Sequence, residues 1–148
     1  MTAPVFHELT HDESHALLAR NYVGRIAYTF HDLVGIEPIG YVAEPNRIYL
    51  RTAPGSKLAT IAHHPWVAFE VDEVEGHFDW RSVVVRGTAM VLHPDGSDTD
   101  RQAYTHALEL LRRAVPGTLD DSDPVPFRTT IIAIYIDDMT GRAASTHS

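Results

Sequence analysis

Cysteine is absent from the 148 residues, which removes disulfides, thiolate metal sites, iron–sulfur clusters and cysteine nucleophiles from the chemistry available. No window approaches the roughly 18 apolar residues that a membrane span needs. Met1-Thr2-Ala3-Pro4 has neither the basic start nor the apolar core of a signal peptide. The expectation is a cytoplasmic protein with no membrane partner. Positive charge is scarce as well: 12 basic against 20 acidic residues give a formal charge of −8. That balance speaks against nucleic acid and anionic lipid surfaces, so any phosphate site has to be a local positive pocket in a negative field, suited to a small ligand. Two catalytic signatures are missing. There is no Gly-x-Ser-x-Gly elbow of a hydrolase, and no P-loop, because the nearest glycine before Gly55 is Gly40 and Leu58 follows Lys57. What remains is oxygen, nitrogen or borrowed cofactor chemistry on a chain of one-domain length, residues 1–148.

The hydrophobic pattern predicts a strand-rich fold. Thr10-His11-Asp12-Glu13 fits a capping box ahead of Ala16, Leu17 and Leu18, so a first helix runs to about Arg20. Strands are expected over Tyr22–Phe30 and Val34–Val42, then over Arg47–Thr52, Trp66–Asp72, Trp80–Leu92 and Thr129–Ile136. Pro38 demotes the second of these to an edge or a bulge, and Gly87 marks a bend in the fifth. Val67, Phe69 and Val71 should share one buried face, with Glu70 and Asp72 on the solvated one. A second helix runs from about Thr99 to Val115 with Tyr104, Ala107, Leu108 and Leu111 at core spacing. Residues 116–127 form a loop, and the tail from Gly141 to Ser148 is read as frayed. Six strands with few helices, mostly hairpin-connected, give a mainly β (α+β) protein: a six-stranded antiparallel split β-barrel with a few flanking helices.

The stretch from Arg47 to Leu58 organises the rest. A strand ends in the Pro54-Gly55 breaker, and Ser56 stands at or just before a short helix carrying Leu58, Ile61 and Ala62. Backbone N–H groups near Gly55, the hydroxyls of Thr52 and Ser56, and the side chains of Arg51 and Lys57 would together suit a phosphate monoester. The same residues also describe an ordinary capped turn.

Other constellations carry less. The cap at Thr10 breaks the stripe of His7, His11 and His15 and leaves an i, i+4 pair without a third ligand, so no metal site is expected. Tyr41 and His77 are proton-donor candidates by residue type alone, and no catalytic residue is assigned.

Five motifs in order give the chain a family likeness: Val23-Gly24-Arg25-Ile26-Ala27, Glu37-Pro38-Ile39, Arg51-Thr52 with Gly55-Ser56-Lys57, His64-Pro65-Trp66-Val67-Ala68-Phe69-Glu70-Val71, and Trp80-Arg81-Ser82-Val83-Val84-Val85-Arg86-Gly87. With them the chain resembles the FMN-binding split barrel superfamily, which includes pyridoxamine phosphate oxidase and nitroimidazole-resistance-like proteins. The resemblance implies FMN as cofactor, with a deazaflavin as the alternative. Its phosphate would lie at Arg51, Thr52, Ser56 and Lys57. Its ring would lie along Glu37, Pro38 and Ile39, approached by Ser82 and by Trp80, which either contacts the ring or covers the dimer interface. It further implies a homodimer with the cofactor at the subunit interface. The function implied is a flavin-dependent oxidoreductase moving hydride to or from a small molecule. The alternative is a non-catalytic flavin or deazaflavin carrier, sequestering protein or sensor.

Overall fold

The computed structural model describes residues 3–146, except for the side chains at 60, 62 and 63, so the expected core position of Ala62 lies outside the described residues. The elements run β1 (Val5–Glu8), α1 (His11–Arg20), β2 (Val23–Phe30), β3 (Leu33–Gly40), β4 (Val42–Glu44), β5 (Arg47–Thr52), a 3-10 helix (Leu58–His63), β6 (Trp66–Gly76), β7 (Asp79–Leu92), α2 (Asp98–Ala114) and β8 (Thr130–Ser145). All strands join one antiparallel sheet in the order β3-β2-β6-β7-β8-β5-β4, with β1 also paired to β8. The class is mainly β with two α-helices. The sheet does not close on itself, because β3 and β4 lie at its two ends.

The strand count is eight rather than the six expected, for two reasons. The predicted strand Val34–Val42 breaks at Tyr41. Its N–H donates to the Tyr22 carbonyl, its hydroxyl donates to the Leu18 carbonyl at 2.5 Å, and the chain resumes as β4 against β5. The added strand is β1, which pairs Val5–Glu8 with Arg142–Ser145. This also corrects the reading of a frayed tail: β8 continues through Gly141 to Ser145, with Ala143 and Ala144 buried. Gly141 is needed there. A Cβ at this position would stand 2.2 Å from Ser14 Oγ and 2.8 Å from Leu9 Cβ, so only glycine lets the start of α1 lie against the strand.

Two apolar layers fix the remaining geometry. Leu17 and Leu18 of α1 join Ile26, Phe69, Val71, Val83, Val85, Ile132 and Ile134 in one buried cluster. Tyr49, Ile131 and Ala133 turn the other way and are covered by Ala107 and Leu111 of α2. Over Ile48–Leu50 of β5 and Ile131–Ile134 of β8 apolar side chains are thus buried on both faces, which is why these stretches read as continuous runs rather than alternations. Pro38 sits on edge strand β3 opposite Arg25, where a missing N–H costs the sheet nothing, and the register of β7 against β8 shifts between Arg86 and Gly87.

Candidate cofactor site

The predicted anion turn forms at the end of β5. Pro54 and Gly55 occupy its centre, the Ser56 N–H donates to the Ala53 carbonyl at 3.3 Å, and Gly55 takes φ +79°. Proline followed by a left-handed glycine is the sequence requirement of a type II turn. The Thr52 and Ser56 hydroxyls meet at 2.9 Å across the turn, and Ser56 Oγ accepts the Ala59 N–H at 3.1 Å. Lys57 follows, exposed, with Nζ 5.8 Å from the centroid of the Phe30 ring. The helix after it is a six-residue 3-10 helix, with little of the aligned dipole of a longer α-helix. The capacity to hold an anion therefore falls to the two hydroxyls, the ammonium and the turn backbone. These fit a phosphate: the space above Gly55 is open, with no atom within 4 Å of where a Cβ would stand.

Strand alternation separates Arg51 from this group. Thr52 and Leu50 face one side of β5, and Arg51 faces the other. There its guanidinium donates to both carboxylate oxygens of Asp123, at 2.7 and 2.6 Å, and to the Arg128 carbonyl at 3.3 Å. Asp123 also accepts the Leu119 and Val125 N–H groups, which folds the 116–127 loop onto β5. The guanidinium, followed by those backbone bonds, holds the Asp123 carboxyl well below its usual range.

The remaining predicted residues lie further along the sheet. Ile39 is buried, and Glu37 accepts the Tyr28 hydroxyl at 3.0 Å. Burial first and Glu37 second push the Tyr28 phenol up. Pro38 points to the opposite face from both neighbours. Trp80 packs against Phe6 with ring centroids 6.5 Å apart, and its Nε1 donates to the His77 carbonyl. Ser82 is half-buried, opposite Asp72 and Arg142. The turn lies level with the other end of β7, since Thr52 pairs with Thr130, and Ile131 pairs with Leu92. Ser82 and Leu92 are ten residues apart along β7, about 33 Å at the rise of an extended strand. One chain therefore groups Thr52, Ser56 and Lys57, and sets Trp80 and Ser82 apart from them.

Three neighbours escaped the sequence reading. Tyr28, Phe30 and Asp123 each touch a predicted residue. For Tyr28 the signal was present: alternation puts it on the buried face of β2, where a hydroxyl needs a partner, and Glu37 lies across the hairpin. Tyr41 is sealed in the core by its bond to Leu18, and burial pushes its phenol far up. His11 and His15 pair with each other, Nε2 to Nε2 at 3.0 Å, with no group of three or more potential ligands among the described residues.

A sequence model of the pyridoxamine 5'-phosphate oxidase family matches residues 10–143. The chain belongs to this family. An uncharacterised Rhizobium meliloti protein is 30% identical over 147 residues, covering 92% of this chain and 93% of its own. Among solved structures, a FAD-binding protein of Mesorhizobium loti superposes with a TM-score of 0.73 at 26% identity, covering 97% of this chain and 99% of the other. A FAD-binding protein of Mycobacterium smegmatis gives 0.67 at 27% identity, with coverage of 93% and 98%. The split-barrel likeness carried by the five motifs is thus borne out. Among the described residues, no helix of this pyridoxamine 5'-phosphate oxidase family member is long and apolar enough to cross a membrane.

Proposed function

We propose that this protein binds a flavin nucleotide by its phosphate at the Thr52–Lys57 turn and uses it to move hydride to or from a small molecule. The observation that carries this reading is the convergence of the Thr52 and Ser56 hydroxyls, 2.9 Å apart, beside Lys57 and an open glycine turn. The family's FAD-binding structural relatives support it. When bound, the flavin supplies the two-electron chemistry. The chain's own groups then have simpler tasks. Lys57 and the two hydroxyls neutralise and orient the phosphate. The Tyr28–Glu37 pair fixes polarity along β3, where the family resemblance implies the ring against Glu37, Pro38 and Ile39.

The protein acts as a homodimer in this reading. Ser82 stands about 33 Å of strand from the level of the turn, and Trp80 lies two residues further, a separation that favours two protomers supplying these groups to one flavin. The outer face of the sheet offers the surface for this: Val34 is 80% exposed and Trp66 73%, and Ile36 also lies open on β3. Apolar area of this kind left to water marks an interface. Arg51 serves by bracing β5 against the 116–127 loop.

The test is a visible absorption and fluorescence titration of cofactor-stripped protein with FMN, FAD, riboflavin and a deazaflavin. It is followed by reduction with NAD(P)H and reoxidation by an added acceptor. Binding of FMN or FAD far above riboflavin, with turnover, supports the oxidoreductase. Binding without a productive cycle selects the carrier reading, and no binding of any of the four overturns the assignment.

A further inference from the structure

The hairpin between β2 and β3 turns through His31 and Asp32, with φ of +50° and +61°. A two-residue turn with both residues left-handed is the type I′ hairpin, whose favoured sequence is Asn-Gly. Histidine and aspartate are among the few other residues tolerated there, at some cost in backbone energy. Glycine at either position would remove that cost. His31 is exposed, yet its imidazole is held: it meets the Phe30 ring edge to face, with centroids 4.2 Å apart at 72°. The next neighbour of Phe30 is Lys57, so an unbroken path leads from the anion turn through Phe30 to the hairpin tip.

From this path, and resting on the flavin reading above, we infer that His31 is a specificity-determining residue that stacks on the terminal base of a flavin dinucleotide, so that the site selects FAD over FMN. Lys57 and the turn hydroxyls hold the near phosphate. The ring of Phe30 braces the imidazole, and the His31 ring offers the planar surface that a purine base requires. The charge at the tip favours a base over a second phosphate, because Asp32 places a carboxylate beside His31. FMN ends at its phosphate and cannot reach this surface, whereas FAD continues beyond it.

Affinities of FMN and FAD measured side by side on the stripped protein decide the matter, using the native chain, His31→Asn and His31→Tyr. Asparagine keeps a residue suited to the left-handed turn and removes the ring, while tyrosine restores an aromatic face. The native protein is expected to bind FAD about tenfold tighter than FMN, from one base–aromatic stack. In His31→Asn the two affinities should converge with that for FMN unchanged, and in His31→Tyr the preference should return. An undiminished FAD preference in His31→Asn overturns the inference, as does an equal loss for both nucleotides. Failure of the native chain to bind either nucleotide overturns the flavin reading itself. The thermal midpoint of His31→Asn should stay level or rise, which separates loss of the stack from loss of the fold.

Discussion

Arg51 and Asp123, 72 residues apart in sequence, form a two-pronged ion pair in which the side chains are only 9% and 1% exposed. The pair closes the 116–127 loop over β5 and keeps the strand that delivers the Thr52–Lys57 turn in place. Because the Asp123 carboxyl titrates below the ordinary aspartate value of 3.8, its stabilising effect is fully present above that value. It is lost as the pH falls further, toward the folded pKa.

Asp123→Asn should therefore lower the thermal midpoint at pH 7 and flatten the acid limb of the stability curve below pH 3.8. Thermal unfolding of both proteins across pH 2–7 checks this. Parallel acid limbs for variant and native chains would remove the linkage from Asp123. Arg51→Ala should lower the midpoint at pH 7 too, since it leaves the Asp123 charge buried without its partner. It should do so without the selective loss of phosphate affinity expected of a residue that touches the ligand.

Lys57→Ala is that selective variant. Removing one charge-assisted bond to a phosphate costs about 1.5–3 kcal/mol, roughly ten- to a hundredfold in affinity for FMN or FAD. Riboflavin has no phosphate and should bind both proteins equally. A comparison of the three ligands by fluorescence titration gives the answer, and equal losses for riboflavin and FMN would place Lys57 elsewhere in the site.

Much of this arrangement is legible in the residues themselves. The capping box of Thr10 and Glu13 forms with both reciprocal bonds, Pro38 lies on an edge, and the register of β7 slips at Gly87 as its glycine suggests. What escapes is pairing that only tertiary structure decides. Val5–Glu8 shows four exposed residues and no alternation, and its partner Arg142–Ser145 has no β-branched or aromatic residue, so neither half announces a strand. The same holds at the site. Alternation in β5 already separates Arg51 from Thr52, whereas the carboxylate that claims Arg51 sits in an aperiodic loop with no signal of its destination.

Glu70 makes stability depend on pH in the opposite sense to Asp123. Burial, then its contact with Asp72, raises its pKa from 4.5 to about 7, and Arg25, 3.6 Å away, offsets only part of this. Between pH 4.5 and 7 the folded protein holds a proton that the unfolded chain has released, so stability falls as the pH rises through that window. After allowance for solvent screening the effect is on the order of 1–2 kcal/mol. Glu70→Gln should abolish the slope, as read from urea midpoints at pH 5 and pH 7.5. A slope equal to that of the native protein would assign it to another group.

Two glycines of the sheet should differ in what a methyl group costs. At Gly24 a Cβ would stand 2.5 Å from Cζ of Phe69 and 2.9 Å from the Glu70 carbonyl oxygen. Phe69 is fully buried and packs edge to face on Tyr41, so its ring has little freedom to withdraw. Gly24→Ala should cost about 1–3 kcal/mol by overpacking. At Gly87 the clash is with backbone: 2.4 Å to the Tyr135 carbonyl oxygen, at the point where β7 and β8 change register. No side-chain rotation relieves that contact, so the two longest strands must move apart. Gly87→Ala should therefore be the more damaging of the two, lowering the urea midpoint further than Gly24→Ala and loosening amide protection along β7 and β8 together. A smaller effect at Gly87 than at Gly24 would mean that the register shift can absorb a methyl group, and that the bulge is not held by close approach of the strands.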